Sequence, residues 1–212
     1  MRYRFTKREI EEALKKLVII IDSREQRSEG YKAEWDREQI KTYSREDFLF
    51  LNVEKKKAKK DLYEPSLPAG DYSAMLPAGA LRGIERAIWF DKKTIIEKKA
   101  DIDELAHNIG KKDLVRLRNE FARLKANGTR HRIFIEDGLY FKHLYEGTGN
   151  QKHGWSSQES LGCAISRELS VWGTELIPIP QEYMSREIYR KLKYDVKYIL
   201  EEEFGILDKD FY

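Results

Sequence analysis

Cysteine is nearly absent. Cys163 stands alone among 212 residues, and the four histidines (His107, His131, His143, His153) show no Cys/His spacing of a zinc site. A disulfide scaffold and a structural zinc module are thereby excluded, and a reducing compartment is expected, the cytoplasm or, in a eukaryote, the nucleus. No apolar run reaches the roughly 18 residues that span a bilayer, and Met1 to Lys16 carries charges throughout, which argues against a membrane anchor or a secretory leader. No Gly-x-x-x-x-Gly-Lys-Ser/Thr loop occurs, which removes a P-loop nucleotide enzyme and a built-in helicase motor. No internal repeat is visible. Nor is one charge sign in excess: 40 Lys+Arg face 37 Asp+Glu, for a net +3, so any nucleic-acid footprint must be local.

What is present belongs to a folded protein, with 41% hydrophobic, 12% aromatic and 36% charged residues. Ile10, Ala13, Leu14 and Leu17 recur at helical spacing behind Thr6-Lys7-Arg8-Glu9, a capping box. Leu17 to Ile21 does not alternate, as in a strand buried on both faces, and it ends at Asp22. From Arg27 to about residue 66 the chain is polar, with one strand-like patch, Phe48 to Val53, and a basic run at Lys55, Lys56, Lys57, Lys59 and Lys60. That run reads either as a phosphate-backbone contact or as a solvated loop. A strand follows Asp71, and the Pro/Gly-rich stretch Leu76 to Gly83 reads as the loop of a long hairpin reaching Glu97. Helices are expected over 101–108, 112–126, 156–171 and 185–203, with strands at 132–136 and 175–179. Helices alternating with strands in the second half indicate βαβ units, hence one α/β domain over 1–212 with an inserted basic segment at about 27–66.

Strands that end in acidic residues carry the chemical information. One buried-type strand delivers Asp22, the hairpin delivers Asp71, and Thr94-Ile95-Ile96 delivers Glu97, with Lys99 two residues on. Strand side chains alternate faces, so Glu97 and Lys99 project to one side and can address one reacting centre. Carboxylates brought together repel, and such a cluster implies a hard divalent cation held by oxygen. The plain alternative is a solvated strand end.

The run Val18-Ile19-Ile20-Ile21-Asp22-Ser23-Arg24-Glu25 resembles the opening strand and Asp-x-Arg-Glu of the XPF-type nuclease family. Gly70-Asp71-Tyr72 is similar to that family's Gly-Asp-Tyr, and Glu97-Lys98-Lys99 followed by Asp103 to its Glu-Arg-Lys and downstream Asp. Arg116 to Leu124 resembles a family helix reading Arg-Phe-x-x-Glu-Leu-x-Arg-Leu. The resemblance implies a PD-(D/E)XK, restriction-endonuclease-like central mixed sheet flanked by helices. It also implies a Mg²⁺- or Mn²⁺-dependent endonuclease acting on branched DNA such as flaps, forks or four-way junctions. Carried over, Asp22, Glu25, Asp71 and Glu97 would be metal-side carboxylates, and Asp71, Glu97 and Lys99 the catalytic set. Arg24, Lys98 and Arg116 would contact DNA, although Arg116 and Glu120, one turn apart, equally suit a surface ion pair. Lys98 stands where the family has Arg, which keeps the charge and loses a planar bidentate donor. Nothing after Tyr183 resembles the family's tandem helix-hairpin-helix module.

Two further expectations concern partners. A non-cleaving DNA-binding or scaffold subunit with a nuclease-like fold is the alternative to an enzyme. The stripe Ile188, Leu192, Val196, Ile199 and Leu200 on the last helix is either core or the face of a homodimer, and the homodimer is expected.

Overall fold

The structure is a computed structural model and describes residues 4–22, 25, 29–43, 67, 69–110, 113–148 and 155–205. Two compact units divide the chain: Met1–Thr94 with Ser185–Tyr212, and Ile95–Met184. The strand expected at Phe48 to Val53, the lysines from Lys55 to Lys60, and Arg24 lie outside the described residues.

In the first unit, helix α1 (Lys7–Leu14) starts as its capping box requires. Thr6 Oγ1 accepts the Glu9 N–H at 3.2 Å while Glu9 Oε2 accepts the Thr6 N–H at 2.8 Å, which satisfies two end groups of the helix. Strand β1 (Val18–Ile21) is buried at every position, as its unbroken β-branched sequence dictates. Helix α2 (Glu29–Arg37) and strand β2 (Lys41–Tyr43) follow, β2 running parallel to β1 with Val18 opposite Lys41. Neither element is legible in the sequence. Among the described side chains of α2, Tyr31 and Trp35, one turn apart, are the buried ones, so its apolar periodicity is too thin to register. Strand β3 (Tyr72–Leu76) runs antiparallel to β1 with Ile21 opposite Tyr72, and β4 (Ile88–Trp89) returns on β3 as the expected hairpin.

Helix α7 (Met184–Phe204) belongs to this unit from Ser185 onward. Its stripe Ile188, Leu192, Val196, Ile199 and Leu200 is buried, with no more than 7% of any of these residues exposed. The stripe is therefore core, one of the two alternatives that the sequence leaves open, and it offers the expected homodimer no exposed face. Polar anchors fix the helix as well. Thr94 Oγ1 donates to Asp195 Oδ2 at 2.6 Å, and the Trp35 indole N–H donates to the Ser185 carbonyl at 3.0 Å.

The second unit contains β5 (Thr94–Lys99, from Ile95), α3 (Ile102–Ile109), α4 (Leu114–Ala126), β6 (Arg130–Ile135), α5 (Tyr140–Glu146), α6 (Gln158–Trp172) and β7 (Glu175–Pro178). Strands β5, β6 and β7 lie side by side, and β6 and β7 are parallel with Ile133 opposite Leu176. Ser157 caps α6, and Gly173 ends it at φ +67, a left-handed conformation that suits glycine. Ile102, Leu105, Ile109, Phe121, Ile133, Ile135, Leu161 and Ile165 form the core. The short α5 has no counterpart in the sequence reading. Seven strands of mixed direction flanked by seven α-helices, among the described residues, make the α/β fold that the sequence implies.

Candidate active site

The first unit gathers three of the expected carboxylates through its backbone. Because Ile21 faces Tyr72 in an antiparallel pair, Asp22 and Asp71 are the next rungs outward, and the Asp22 N–H donates to the Asp71 carbonyl at 2.8 Å. The Glu25 N–H donates to the Asp22 carbonyl at 3.1 Å. Asp22 is only 3% exposed, and its Oδ2 accepts the Leu67 N–H at 2.7 Å. Its carboxylate thus ties down the segment that leads into Gly70-Asp71. Asp71 and Glu25 are half-buried.

The second unit carries Glu97 and Lys99. Their alternation along β5 places both on one face, and Lys99 Nζ lies 2.6 Å from Glu97 Oε1. The Lys99 side chain is 8% exposed and that of Glu97 20%, so the pair is shielded yet reachable from the Glu97 side. Lys98 faces the other way. Its side chain is 3% exposed and its Nζ lies 3.5 Å from Glu136 Oε2, so it meets a protein carboxylate. The resemblance implies a DNA contact for Lys98 from its place in the Glu-Lys-Lys triplet, and a triplet does not show which face of the strand is covered. Arg116 is exposed on α4.

Sequence reasoning missed Glu104 on the first turn of α3. Its Oε2 accepts the Ala100 N–H at 2.8 Å and its Oε1 lies 3.4 Å from Lys99 Nζ. The signal was there: Asp101-Ile102-Asp103-Glu104 has the spacing of a helix cap with a returning carboxylate, and Asp101 Oδ1 accepts the Glu104 N–H at 2.8 Å. Arg118 and Glu168, also unflagged, form a two-pronged ion pair between α4 and α6, with the Trp172 indole N–H on Glu168 Oε2 at 3.2 Å. Arg118 is thereby held above its ordinary value and Glu168 below the usual carboxylate range, each chiefly by that hydrogen bond.

The titration of His131 on β6 is strongly displaced. Burial foremost, then the positive charges of Lys99 and Arg132, lowers its pKa from 6.5 to about 4. Its Nδ1 lies 3.2 Å from Thr174 Oγ1 and its ring packs at 4.9 Å from Phe121, an arrangement for packing and not for proton transfer with a substrate.

Among the described residues, no group of three or more His, Cys, Asp or Glu side chains is arranged to hold a metal ion. The donors at hand are nevertheless carboxylate oxygens, the type that Mg²⁺ and Mn²⁺ prefer, and Mg²⁺ commonly takes one or two protein carboxylates and completes its shell with water and substrate oxygens. The donor chemistry therefore fits a hard divalent cation, without a protein cage. No helix among the described residues is long and apolar enough to cross a membrane.

No protein-family model and no curated protein matches the sequence. Among solved structures the chain is similar to XPF from Aeropyrum pernix, at 17% identity over 90% of this chain and 75% of that one, with a TM-score of 0.48. It is also similar to XPF from Aeropyrum pernix in complex with DNA, at 16% identity over 84% of this chain and 63% of that one, with a TM-score of 0.45.

Proposed function

We propose that the chain is a Mg²⁺- or Mn²⁺-dependent endodeoxyribonuclease that hydrolyses phosphodiester bonds in branched DNA: flaps, forks or four-way junctions. The observation that carries this reading is the shielded Glu97–Lys99 pair, a carboxylate and an ammonium 2.6 Å apart on one strand face. By the resemblance, Asp22, Glu25, Asp71 and Glu97 are the carboxylates that would hold the cation. A bound divalent cation polarises a phosphoryl oxygen and makes its water acidic.

The residues of the chain supply the rest. Lys99, an ammonium with three donors and a largely buried stem, places fixed positive charge where negative charge develops on the phosphate. Asp22 also accepts the Leu67 N–H through Oδ2, which ties Leu67 to the strand end beside Asp71. Arg24, Arg116 and the lysines Lys55, Lys56, Lys57, Lys59 and Lys60 would grip the DNA backbone, which orients the substrate without reading its sequence.

The test is cleavage of labelled flap, fork, four-way and linear DNAs with Mg²⁺, Mn²⁺ or EDTA. Branched DNA is cut only with metal, and Asp71→Asn, Glu97→Gln or Lys99→Ala each lowers the rate by about 10²- to 10⁴-fold with DNA affinity retained. Variants that cut at the wild-type rate reject this site. The alternative is a non-cleaving DNA-binding or scaffold subunit with a nuclease-like fold. Tight binding of branched DNA with no cleavage in either metal establishes that alternative.

A further inference from the structure

Lys99 is held from two sides. Glu97, two residues earlier on β5, contacts the ammonium at 2.6 Å, and Glu104, from the first turn of α3, approaches it at 3.4 Å. The Glu104 carboxylate is itself fixed, because its other oxygen accepts the Ala100 N–H at 2.8 Å at the point where β5 ends. One carboxylate group thus spans the strand terminus and the lysine head. A lysine has a long flexible stem, and a single partner leaves its ammonium several rotamers. A partner anchored to the backbone of the same turn removes most of them.

We propose that Glu104 is a positioning residue for Lys99. The proposal rests on the nuclease reading, in which Glu97 turns its oxygens toward the reacting centre. The 2.6 Å contact then has to be shared, and Glu104, tied to Ala100, still holds the ammonium beside the phosphate. Its role in the reaction is exerted through Lys99, for its other oxygen is taken up by the Ala100 N–H.

Glu104→Gln isolates that role, since the amide keeps a carbonyl oxygen for the Ala100 N–H and removes the charge facing Lys99. Coupling within one ion-pair network predicts that kcat falls about tenfold while KM, DNA affinity and Tm stay at wild-type values. Because Glu104 acts through Lys99, the double variant Lys99→Ala/Glu104→Gln cleaves no more slowly than Lys99→Ala. A wild-type kcat in Glu104→Gln, or a double variant slowed by the product of the two single effects, overturns the proposal. Reductive dimethylation read residue by residue by mass spectrometry examines the same contact without turnover. Labelling of Lys99 rises in Glu104→Gln and that of the other lysines does not change; equal labelling of Lys99 in both proteins overturns the role of Glu104. Uncut DNA with the wild-type protein counts instead against the nuclease reading.

Discussion

Acid should weaken the second unit through one side chain, His131. It is 7% exposed, packed on Phe121, and its Nε2 is buried without a hydrogen-bond partner. Burial first, and then the charges of Lys99 and Arg132, bring its pKa in the folded protein from 6.5 to about 4. The unfolded chain therefore binds a proton below pH 6.5 that the folded chain refuses until about pH 4. Stability is complete above 6.5 and is lost as the pH falls through that window. With about 1.4 kcal/mol for each pH unit, the loss reaches about 3 kcal/mol at its acid end. Carboxylates titrate near the lower end too, so the measurement is a comparison: urea unfolding of the wild type and of His131→Asn at pH 7.5, 6.5, 5.5 and 4.5. The variant starts lower, since it loses ring packing, but its stability declines less steeply over the window. Parallel curves for the two proteins would refute the argument that a buried neutral imidazole opposes its own protonation.

Three further outcomes are expected. Thr6→Ala removes the acceptor for the Glu9 N–H and costs about 1 kcal/mol, read as a lower urea midpoint at an unchanged m-value. Leu192→Ala empties a fully buried position of α7 and costs about 2–5 kcal/mol, read as a lower urea midpoint. Neutral replacements at Lys55, Lys56, Lys57, Lys59 and Lys60 weaken binding to all DNA sequences, and the log–log salt slope becomes shallower by about 0.9 for each phosphate that is no longer neutralised.

The parts of the fold that the sequence revealed are those whose signals are local. The Thr6–Glu9 box, the unbroken Val18–Ile21 run, the Asn127-Gly128 stop after α4 and the Ser157 cap of α6 each act over a few residues, and each element lies within a few residues of its expected bounds. Helix α2 and strand β2 depend on distant partners instead. Trp35 is meaningful only once Ser185, 150 positions away, accepts its indole N–H. Periodicity shows that α7 has an apolar stripe and says nothing of what covers it, which is why a core stripe reads as a dimer face. At the candidate site the same limit applies to Lys98. Alternation correctly separates it from Glu97 and Lys99, but only the folded chain supplies Glu136.

The composition of the first unit, from both ends of the chain, bears on how the protein comes off the ribosome. Thr94 and Asp195 are 101 positions apart, and α1 and α7 are joined through Glu11 and Lys197. The second unit is one continuous stretch and can consolidate as soon as it emerges, whereas the first waits for the last helix before its core closes. Until then the core of the first unit is incomplete, and nascent chains stalled before Ser185 should depend on chaperones in a way that chains extending past Phe204 do not.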